Sequence, residues 1–295
     1  MKTISIIFFF FVISAQPVLA DRGSIPFRPD VKVFEPNQRA IIAWDGTEEI
    51  LLLSTDLRAS EPTKVLEVIP LPSEPDVKKG DIESFKRATS IINRKLPPVY
   101  AQGKGRRDNV GSPSPPAGEV TFHKRIGAHD ISVTHVLNIA GFIGWVENYL
   151  KSEGVDNPSI PDKMKEVVDE YLRDDFSWFV FDIVSLDNKP KTNDAIRYRF
   201  KSDCLYYPLR ITRTEEGFTD IDLIILTPKL LSEFPGIPIN QVKLEHDPVT
   251  INSQELKEIN KEMHNLLGHL EQMKLRIWKI SGWLSSFEYD LIARE

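Results

Sequence analysis

Three histidines at six-residue intervals, one of them beside an aspartate, are the residues of this chain best suited to do chemistry. His123, His129 and His135 lie in an extended stretch, and Asp130 follows the middle histidine. Imidazole and carboxylate groups can bind zinc or transfer protons, because both titrate near neutral or acidic pH. In a strand, however, His129 and His135 would lie about 20 Å apart at about 3.3 Å per residue, too far to share one ion. We therefore expect no metal and no cofactor.

Asp182 is the most unusual carboxylate, because its face of a predicted strand is otherwise apolar and carries Val180 and Val184. A carboxylate in such a place must be paired, protonated or at the edge of the sheet. If it is buried, its pKa would rise and it could serve as an acid or a base. We favour an ion pair with Arg197 or Arg199 on a neighbouring strand.

The tryptophans offer a different kind of site, because aromatic rings cover the faces of sugars well. A carbohydrate-binding domain would need at least two exposed tryptophans in one groove. Trp145 and Trp178 lie in patterns typical of a core, whereas Trp283 follows Gly282 and is the one that we expect to be exposed. Trp283 is therefore a candidate ligand-binding residue.

The motifs of the common enzyme classes are missing from the sequence. It has no glycine-rich phosphate loop, no Gly-x-Ser-x-Gly elbow and no His-Glu-x-x-His motif. An enzyme built on this chain would be an acid–base or metal-dependent hydrolase that uses His129, Asp130 and Asp182. Such an enzyme requires these three side chains to converge in one pocket.

The first 20 residues have the pattern of a cleavable secretory signal. Lys2 provides the positive end, residues 4–13 are apolar except for one serine, and residues 18–20 suit a signal peptidase. The apolar run is shorter than the roughly 20 residues of a membrane span, although an uncleaved N-terminal anchor is the alternative. We predict cleavage between Ala20 and Asp21, a secreted or extracytoplasmic mature protein, and no membrane span after cleavage.

Charge and cysteine content exclude one class of partner and one source of stability. The chain carries 37 basic and 43 acidic side chains, a net charge of −6, and cleavage would remove only Lys2 from this balance. A mild acidic excess argues against binding to nucleic acid. Cys204 is the sole cysteine, so the chain forms no internal disulfide and must be stabilised by core packing.

Residues 96–118 divide the chain into two blocks. Five prolines and four glycines fall among these 23 residues, a composition typical of a flexible linker or loop. The first block, residues 21–95, is β-rich and ends in a helix that begins near Asp81. Its clearest signal is Asp45-Gly46 between two apolar runs, which is typical of a hairpin. The second block, residues 119–295, mixes strands with helices, and the whole chain predicts an α+β fold.

The pattern of apolar residues gives the elements of the second block. We predict strands at residues 120–126, 130–137, 176–186, 196–201, 205–212, 221–227 and, in preference to a continued helix, 275–281. Helices are expected to begin at Asn138, at Ser159 and at Asn252 or Ser253, because each offers a capping side chain. The third helix is expected to continue through Leu267.

Three stretches of the chain carry a family resemblance. They run from Gln38-Arg39-Ala40-Ile41-Ile42 to Val68-Ile69-Pro70-Leu71-Pro72, from Ile126-Gly127-Ala128-His129-Asp130-Ile131-Ser132-Val133 to Trp145, and from Trp178-Phe179-Val180-Phe181 to Tyr207-Pro208-Leu209-Arg210-Ile211. In this order they are similar to a family of exported prokaryotic proteins known as domain of unknown function 2330. The resemblance implies an extracytoplasmic setting and no established activity or catalytic residue. This chain lacks the cysteines after the signal and the C-terminal membrane anchor of many relatives, so the resemblance leaves open whether it is tethered in the same way.

Taken together, these patterns predict a non-enzymatic extracytoplasmic binding module, with a cell-envelope component or another exported protein as its partner. The alternatives are the hydrolase built on His129, Asp130 and Asp182, and the carbohydrate-binding domain built around Trp283.

Overall fold

The computed structural model describes residues 23–96, 120–189 and 191–294, apart from residues 29, 30, 32, 127, 128, 193 and 232. The predicted signal, its cleavage point at Ala20 and Asp21, and the predicted linker beyond Leu96 lie outside the described residues.

The strands are β1 (Gly23–Pro26), β2 (Val33–Trp44), β3 (Glu48–Ala59), β4 (Thr63–Leu71), β5 (Asp76–Lys79), β6 (Val120–Ile126), β7 (His129–His135), β8 (Trp178–Leu186), β9 (Lys191–Thr192), β10 (Ile196–Lys201), β11 (Leu205–Tyr207), β12 (Phe218–Thr227), β13 (Val242–Leu244), β14 (Val249–Asn252), β15 (Gln272–Trp283) and β16 (Leu291–Ala293). The helices are α1 (Glu83–Lys95), α2 (Ile139–Ser152), α3 (Asp162–Arg173), α4 (Ser253–Ile259) and α5 (Lys261–Leu267), with 3-10 turns at Arg210–Thr214, Ile239–Gln241 and Leu284–Ser286.

The strands form two main sheets and one short pair. The small sheet has the order β1-β4-β8-β7-β6, and all of its strand pairs are antiparallel. The large sheet has the order β13-β15-β12-β2-β3-β10-β5, with β14 beside β15 and β9 beside β3. Its one parallel pair joins β12 to β2. Strands β11 and β16 form a separate antiparallel pair.

The two main sheets pack face to face, and helices cover both outer faces. Residues from both sheets share the central apolar cluster, for example Leu53 with Ile69 and Val180. Helices α2 and α3 pack on the outer face of the small sheet, and α1, α4 and α5 pack on the outer face of the large sheet. The result is a helix–sheet–sheet–helix arrangement, which confirms the predicted α+β class. Within the described residues, no helix is both long and apolar enough to cross a bilayer.

Each main sheet combines strands from both sides of residues 97–119. In the small sheet, β1 and β4 from the first part pair beside β6, β7 and β8 from the second. In the large sheet, β2, β3 and β5 from the first part join β10, β12 and β15 from the second. The two sequence blocks therefore share one core.

The local signals predicted many elements well. The hairpin turn lies at Asp45-Gly46-Thr47, where Gly46 has a φ of 103° and the Asp45 side chain accepts hydrogen bonds from Thr47 N and Glu48 N. Asn138 caps α2 by accepting a hydrogen bond from Gly141 N, as predicted. The strand favoured at residues 275–281 is the centre of β15.

Several boundaries differ from the predictions for physical reasons. Helix α3 begins at Asp162 after Pro161, without the side-chain cap expected from Ser159. The third predicted helix is two helices, because Asn260 adopts extended backbone (φ −158°), ends α4 and caps α5. The strand predicted at residues 205–212 ends at Tyr207, and the chain then turns into the 3-10 helix at Arg210–Thr214.

Candidate functional site

Two carboxylates face each other in the middle of the small sheet. Glu67 on β4 and Asp182 on β8 are direct partners across this antiparallel pair. Facing side chains in such a pair have Cβ atoms about 5 Å apart, so two like charges there repel each other. Both residues are almost completely buried, at 1% and 0% exposure.

His129 on the next strand, β7, completes the group. The residue opposite Asp182 on β7 is Ile131, and His129 lies two positions away on the same face. The His129 Nδ1 atom lies 2.5 Å from Asp182 Oδ2, and His129 is 1% exposed. One ligand atom from each of Glu67, His129 and Asp182 lies within 4.8 Å of the others. We call these three residues the inner cluster.

Apolar residues enclose the inner cluster between the two main sheets. Along β8, Asp182 lies between Val180 of the central apolar cluster and Val184 of a second apolar cluster. Along β4, Glu67 lies in the same way between Ile69 and Val65. The carboxylates therefore lie in a low-dielectric interior, where a charge must be compensated.

The structure brings together two of the three predicted acid–base residues and separates the third. Asp130 is directly opposite Ile183, so its side chain is on the other face of the small sheet, towards helix α2. Tyr149 of α2 lies on that side. Its pKa is raised mainly by burial and, to a smaller extent, by the Asp130 carboxylate. The expected pairing of Asp182 with Arg197 or Arg199 is wrong, because those side chains bind the carboxylates of Asp76, Glu262 and Glu48.

The other predicted residues lie apart from the inner cluster. His135 stacks on Trp178 with ring centroids 4.6 Å apart. Side-chain details of His123 lie outside the described residues. Cys204 is buried, and burial raises the pKa of its thiol.

Trp283 is the exposed tryptophan that the sequence predicts, at 54% exposure. Its ring meets Phe218 edge to face at 5.9 Å, across the pair formed by β12 and β15. Trp44 and Trp145 are buried, while Trp178 and Trp278 are half-buried. Trp283 therefore lacks the second exposed tryptophan that a sugar-binding groove would need.

A second polar group lies at an open cavity beside β16. This C-terminal cavity has a volume of about 280 Å³, and its lining includes Phe176, Arg210, Tyr289, Asp290, Ile292 and Arg294. The Arg210 guanidinium lies 4.0 Å from the centre of the Tyr171 ring, a cation–π contact. Its Nη1 atom also donates to Asp174 Oδ2 at 2.6 Å. Arg210 is thus a buried cation with a fixed orientation.

Asp290 is the buried anion of this cavity. One of its oxygens, Oδ1, accepts hydrogen bonds from Tyr171 Oη at 2.6 Å and from the Arg210 backbone N at 2.9 Å. Burial raises the pKa of the Asp290 carboxyl, although the neighbouring Arg210 partly offsets this effect. Burial also raises the pKa of Tyr171, so the phenol stays protonated and acts as the donor.

Sequence reasoning missed Glu67, Arg210 and Asp290 as site residues. The signal for Glu67 was available, because it is the one charged residue in the apolar run Val65–Leu71, as Asp182 is in its own strand. Arg210 and Asp290 gave no such signal. They are 80 residues apart, and each has other polar residues close to it in the sequence.

The resemblances to solved structures are weak. Baculovirus P35 aligns over 92% of this chain and 99% of its own, with 12% identity and a TM-score of 0.42. A mutated baculovirus P35 after caspase cleavage aligns over 88% and 99%, with 11% identity and a TM-score of 0.40. A comparison with curated proteins gives no match.

The family comparison is more informative. Residues 17–241 match the model of a family described as uncharacterized proteins conserved in bacteria, DUF2330. The matched range contains the inner cluster and Arg210, and it ends before Asp290 and the last strands. The chain therefore belongs to the conserved bacterial family DUF2330, as the three sequence stretches predicted.

Proposed function

We propose that this chain is a non-enzymatic, extracytoplasmic binding module that holds an extended peptide segment of another exported protein in the C-terminal cavity. The observation that carries this proposal is a rigid, buried arginine at an open apolar cavity beside a short edge strand. The secretory pattern of residues 1–20 supports the extracytoplasmic setting.

Arg210 provides the polar anchor for such a ligand. Its side chain is held between the Tyr171 ring and the Asp174 carboxylate, so little conformational entropy is lost when a ligand binds. Its Nε atom is buried, so a ligand would meet the terminal nitrogens of the guanidinium. Because guanidinium groups bind carboxylates with strong, directional hydrogen bonds, we infer a carboxylate on the ligand. Arg294 on the same lining adds a second positive charge.

The size and walls of the cavity favour a peptide side chain over a whole small molecule. Small-molecule sites usually measure about 300–1,000 Å³, and this cavity is just below that range. Its walls include Phe176, Tyr289 and Ile292, which suit one large apolar side chain.

The edge of β16 can supply main-chain contacts to the same peptide. Among the described strands, β16 pairs only with β11. A strand with one unpaired edge offers backbone N–H and C=O groups to an added strand. The cavity lining includes Ile292 of β16 and the two residues that precede this strand, Tyr289 and Asp290. A peptide paired with β16 would therefore place its side chains in the cavity.

Two features argue for binding over catalysis. The inner cluster, which holds the acid–base candidates His129 and Asp182, is at most 1% exposed, so a substrate cannot touch it without opening the sandwich. The described lining of the C-terminal cavity includes no serine, cysteine, lysine or histidine that could act as a nucleophile or a neutral-pH base.

Peptide selection tests the proposal directly. A random library of eight-residue peptides with free C-terminal carboxylates would be selected on the secreted protein, and the enriched peptides titrated by calorimetry. We expect peptides with a large apolar residue near a carboxylate. Replacing Arg294, whose side chain is 65% exposed, by glutamate should weaken their binding about 10-fold or more without unfolding the protein.

Arg94→Glu is the matched control, because the Arg94 side chain is 56% exposed and lies on α1, away from the cavity lining. It should leave peptide binding unchanged. Failure to enrich any peptide would overturn the peptide proposal. Equal affinities of wild type and Arg294→Glu would place the binding site elsewhere.

A further inference from the structure

We infer that the inner cluster is a buried site for one divalent cation of the zinc or manganese class, held by Glu67, His129 and Asp182. The site is separate from the C-terminal cavity and its existence does not depend on the peptide proposal. Its role is to join three neighbouring strands of the small sheet rather than to perform catalysis.

The backbone already places three ligand atoms around one point. The carboxylates face each other across β4 and β8, and the imidazole reaches them from β7. The ligand atoms lie within 4.8 Å of one another, and two ligands of a tetrahedral zinc ion with bonds of about 2.1 Å lie about 3.4 Å apart. A cation at this point would replace the proton that His129 Nδ1 and Asp182 Oδ2 share across 2.5 Å. Only small side-chain movements are needed.

The charge of the donor set matches a divalent ion. Two ionised carboxylates and a neutral imidazole carry two negative charges, which a divalent cation matches with all three ligands deprotonated. The match matters because ionised ligands in an apolar interior are stable only when their charge is compensated.

The facing sheet provides a second, independent observation. Gln38 and Thr55 are direct partners on the inner face of the large sheet, at 1% and 2% exposure. Along β3, Thr55 lies between Leu53 of the central cluster and Leu57 of the second cluster, the same interval that Asp182 occupies in β8. Gln38 Nε2 and Thr55 Oγ1 are buried without a hydrogen bond to any described residue.

Such buried polar atoms need an explanation, and a polar ligand between the sheets gives one. Three protein ligands leave one position of a tetrahedral ion for a water molecule. Gln38 and Thr55 have the groups to hold that water by hydrogen bonds.

The donor set indicates the class of ion. Imidazole suits zinc and the later transition metals, whereas carboxylates also suit manganese. One imidazole with two carboxylates therefore suits Zn²⁺ or Mn²⁺. The set includes no sulfur ligand for Cu⁺, and it has fewer oxygen ligands than the six to eight that Ca²⁺ prefers.

Metal analysis and titration test the inference. The secreted protein would be analysed for bound metals by mass spectrometry, then stripped with a chelator and titrated with Zn²⁺ and Mn²⁺ by calorimetry. We expect one ion per chain and a higher melting temperature in the metal-bound protein. Glu67→Gln and His129→Gln should each weaken binding about 100-fold or more, since the first replaces an anionic carboxylate ligand with a neutral amide and the second removes the imidazole ligand.

Asp130→Asn is the matched control, because Asp130 neighbours His129 in the chain and points to the opposite face of the sheet. It should bind the ion as wild type does. Equal binding by wild type and a folded Glu67→Gln variant would overturn the inference, and so would a stripped wild-type protein that is folded and binds neither ion.

Cobalt spectroscopy keeps the inference testable if the variants do not fold. Co²⁺ bound by the inner cluster of the wild-type protein should give visible bands of nitrogen and oxygen ligation. A thiolate-to-cobalt band would instead place the ion at Cys204, the only thiol of the chain, and would contradict the proposed site.

Discussion

The inner cluster and the C-terminal cavity combine similar groups in different surroundings. Each brings a carboxylate together with a side chain that can carry a positive charge, His129 with Asp182 and Arg210 with Asp290. The first pair lies between two sheets with apolar clusters on both sides, whereas the second lies at a cavity that opens to solvent. Access to solvent therefore helps to separate a group that can support the fold from one that can meet a partner.

The permanent charge of arginine accounts for part of this difference. Arg210 stays charged at any physiological pH and keeps two carboxylates and a tyrosine around it. The imidazole of His129 can be neutral, so it can ligate a metal ion. We expect the inner cluster to respond to metals and the C-terminal cavity to respond to anionic peptides.

The largest expected effect on stability comes from breaking the inner cluster. Asp182→Ala leaves His129 and Glu67 buried without one of their partners, and we expect the free energy of unfolding to fall by about 3–5 kcal/mol. Asp174→Ala, the matched change at the C-terminal cavity, should cost less than about 1 kcal/mol, because the Asp174 side chain is 55% exposed. Urea denaturation of both variants measures the two values. Similar losses would remove the proposed contrast between the two regions.

A smaller effect concerns the pH dependence of stability at the C-terminal cavity. Because burial raises the pKa of Asp290 in the folded state, its contribution to stability is fully present below its unfolded pKa, about 3.9, and is lost as pH rises through the folded pKa. Asp290→Asn keeps an oxygen for Tyr171 and Arg210 N but cannot ionise. We expect its stability relative to wild type to increase with pH. Urea titrations at several pH values measure this trend, and parallel pH profiles would contradict it.

The smallest expected effect comes from the exposed aromatic pair. Trp283→Ala removes an edge-to-face contact with Phe218 at the surface, so we expect a loss of about 0.5–1 kcal/mol in stability. Binding of the selected peptides should not change, because neither ring lines the C-terminal cavity. A loss of peptide binding in this variant would move the proposed site to the aromatic pair.

Local patterns predicted the elements because their causes are local. The glycine turn at Gly46 and the cap at Asn138 depend on neighbouring residues, and both are present. The break at Asn260 was missed because the apolar spacing continues through it, while the asparagine side chain caps α5 instead. Arg197 in β10 is 4% exposed and its charge is paired with Asp76 and Glu262, a pairing that depends on distant residues.

The candidate sites could be predicted only in part, because they depend on strand order. Alternation placed Asp182 correctly on an apolar face, yet its partner was assigned to the wrong strand. The residues paired with β8 come from β4 and β7, which are about 115 and 50 positions away in the chain. No local pattern in the sequence connects Glu67 to Asp182, or Arg210 to Asp290.

The most direct test of the account compares peptide binding by two variants that change one region each. Calorimetry would give the affinity of a selected peptide for Arg294→Glu, at the C-terminal cavity, and for Glu67→Gln, in the inner cluster, with circular dichroism to show that both are folded. We expect Arg294→Glu to weaken binding about 10-fold or more and Glu67→Gln to bind as wild type does. Normal binding by Arg294→Glu together with lost binding by a folded Glu67→Gln would contradict it.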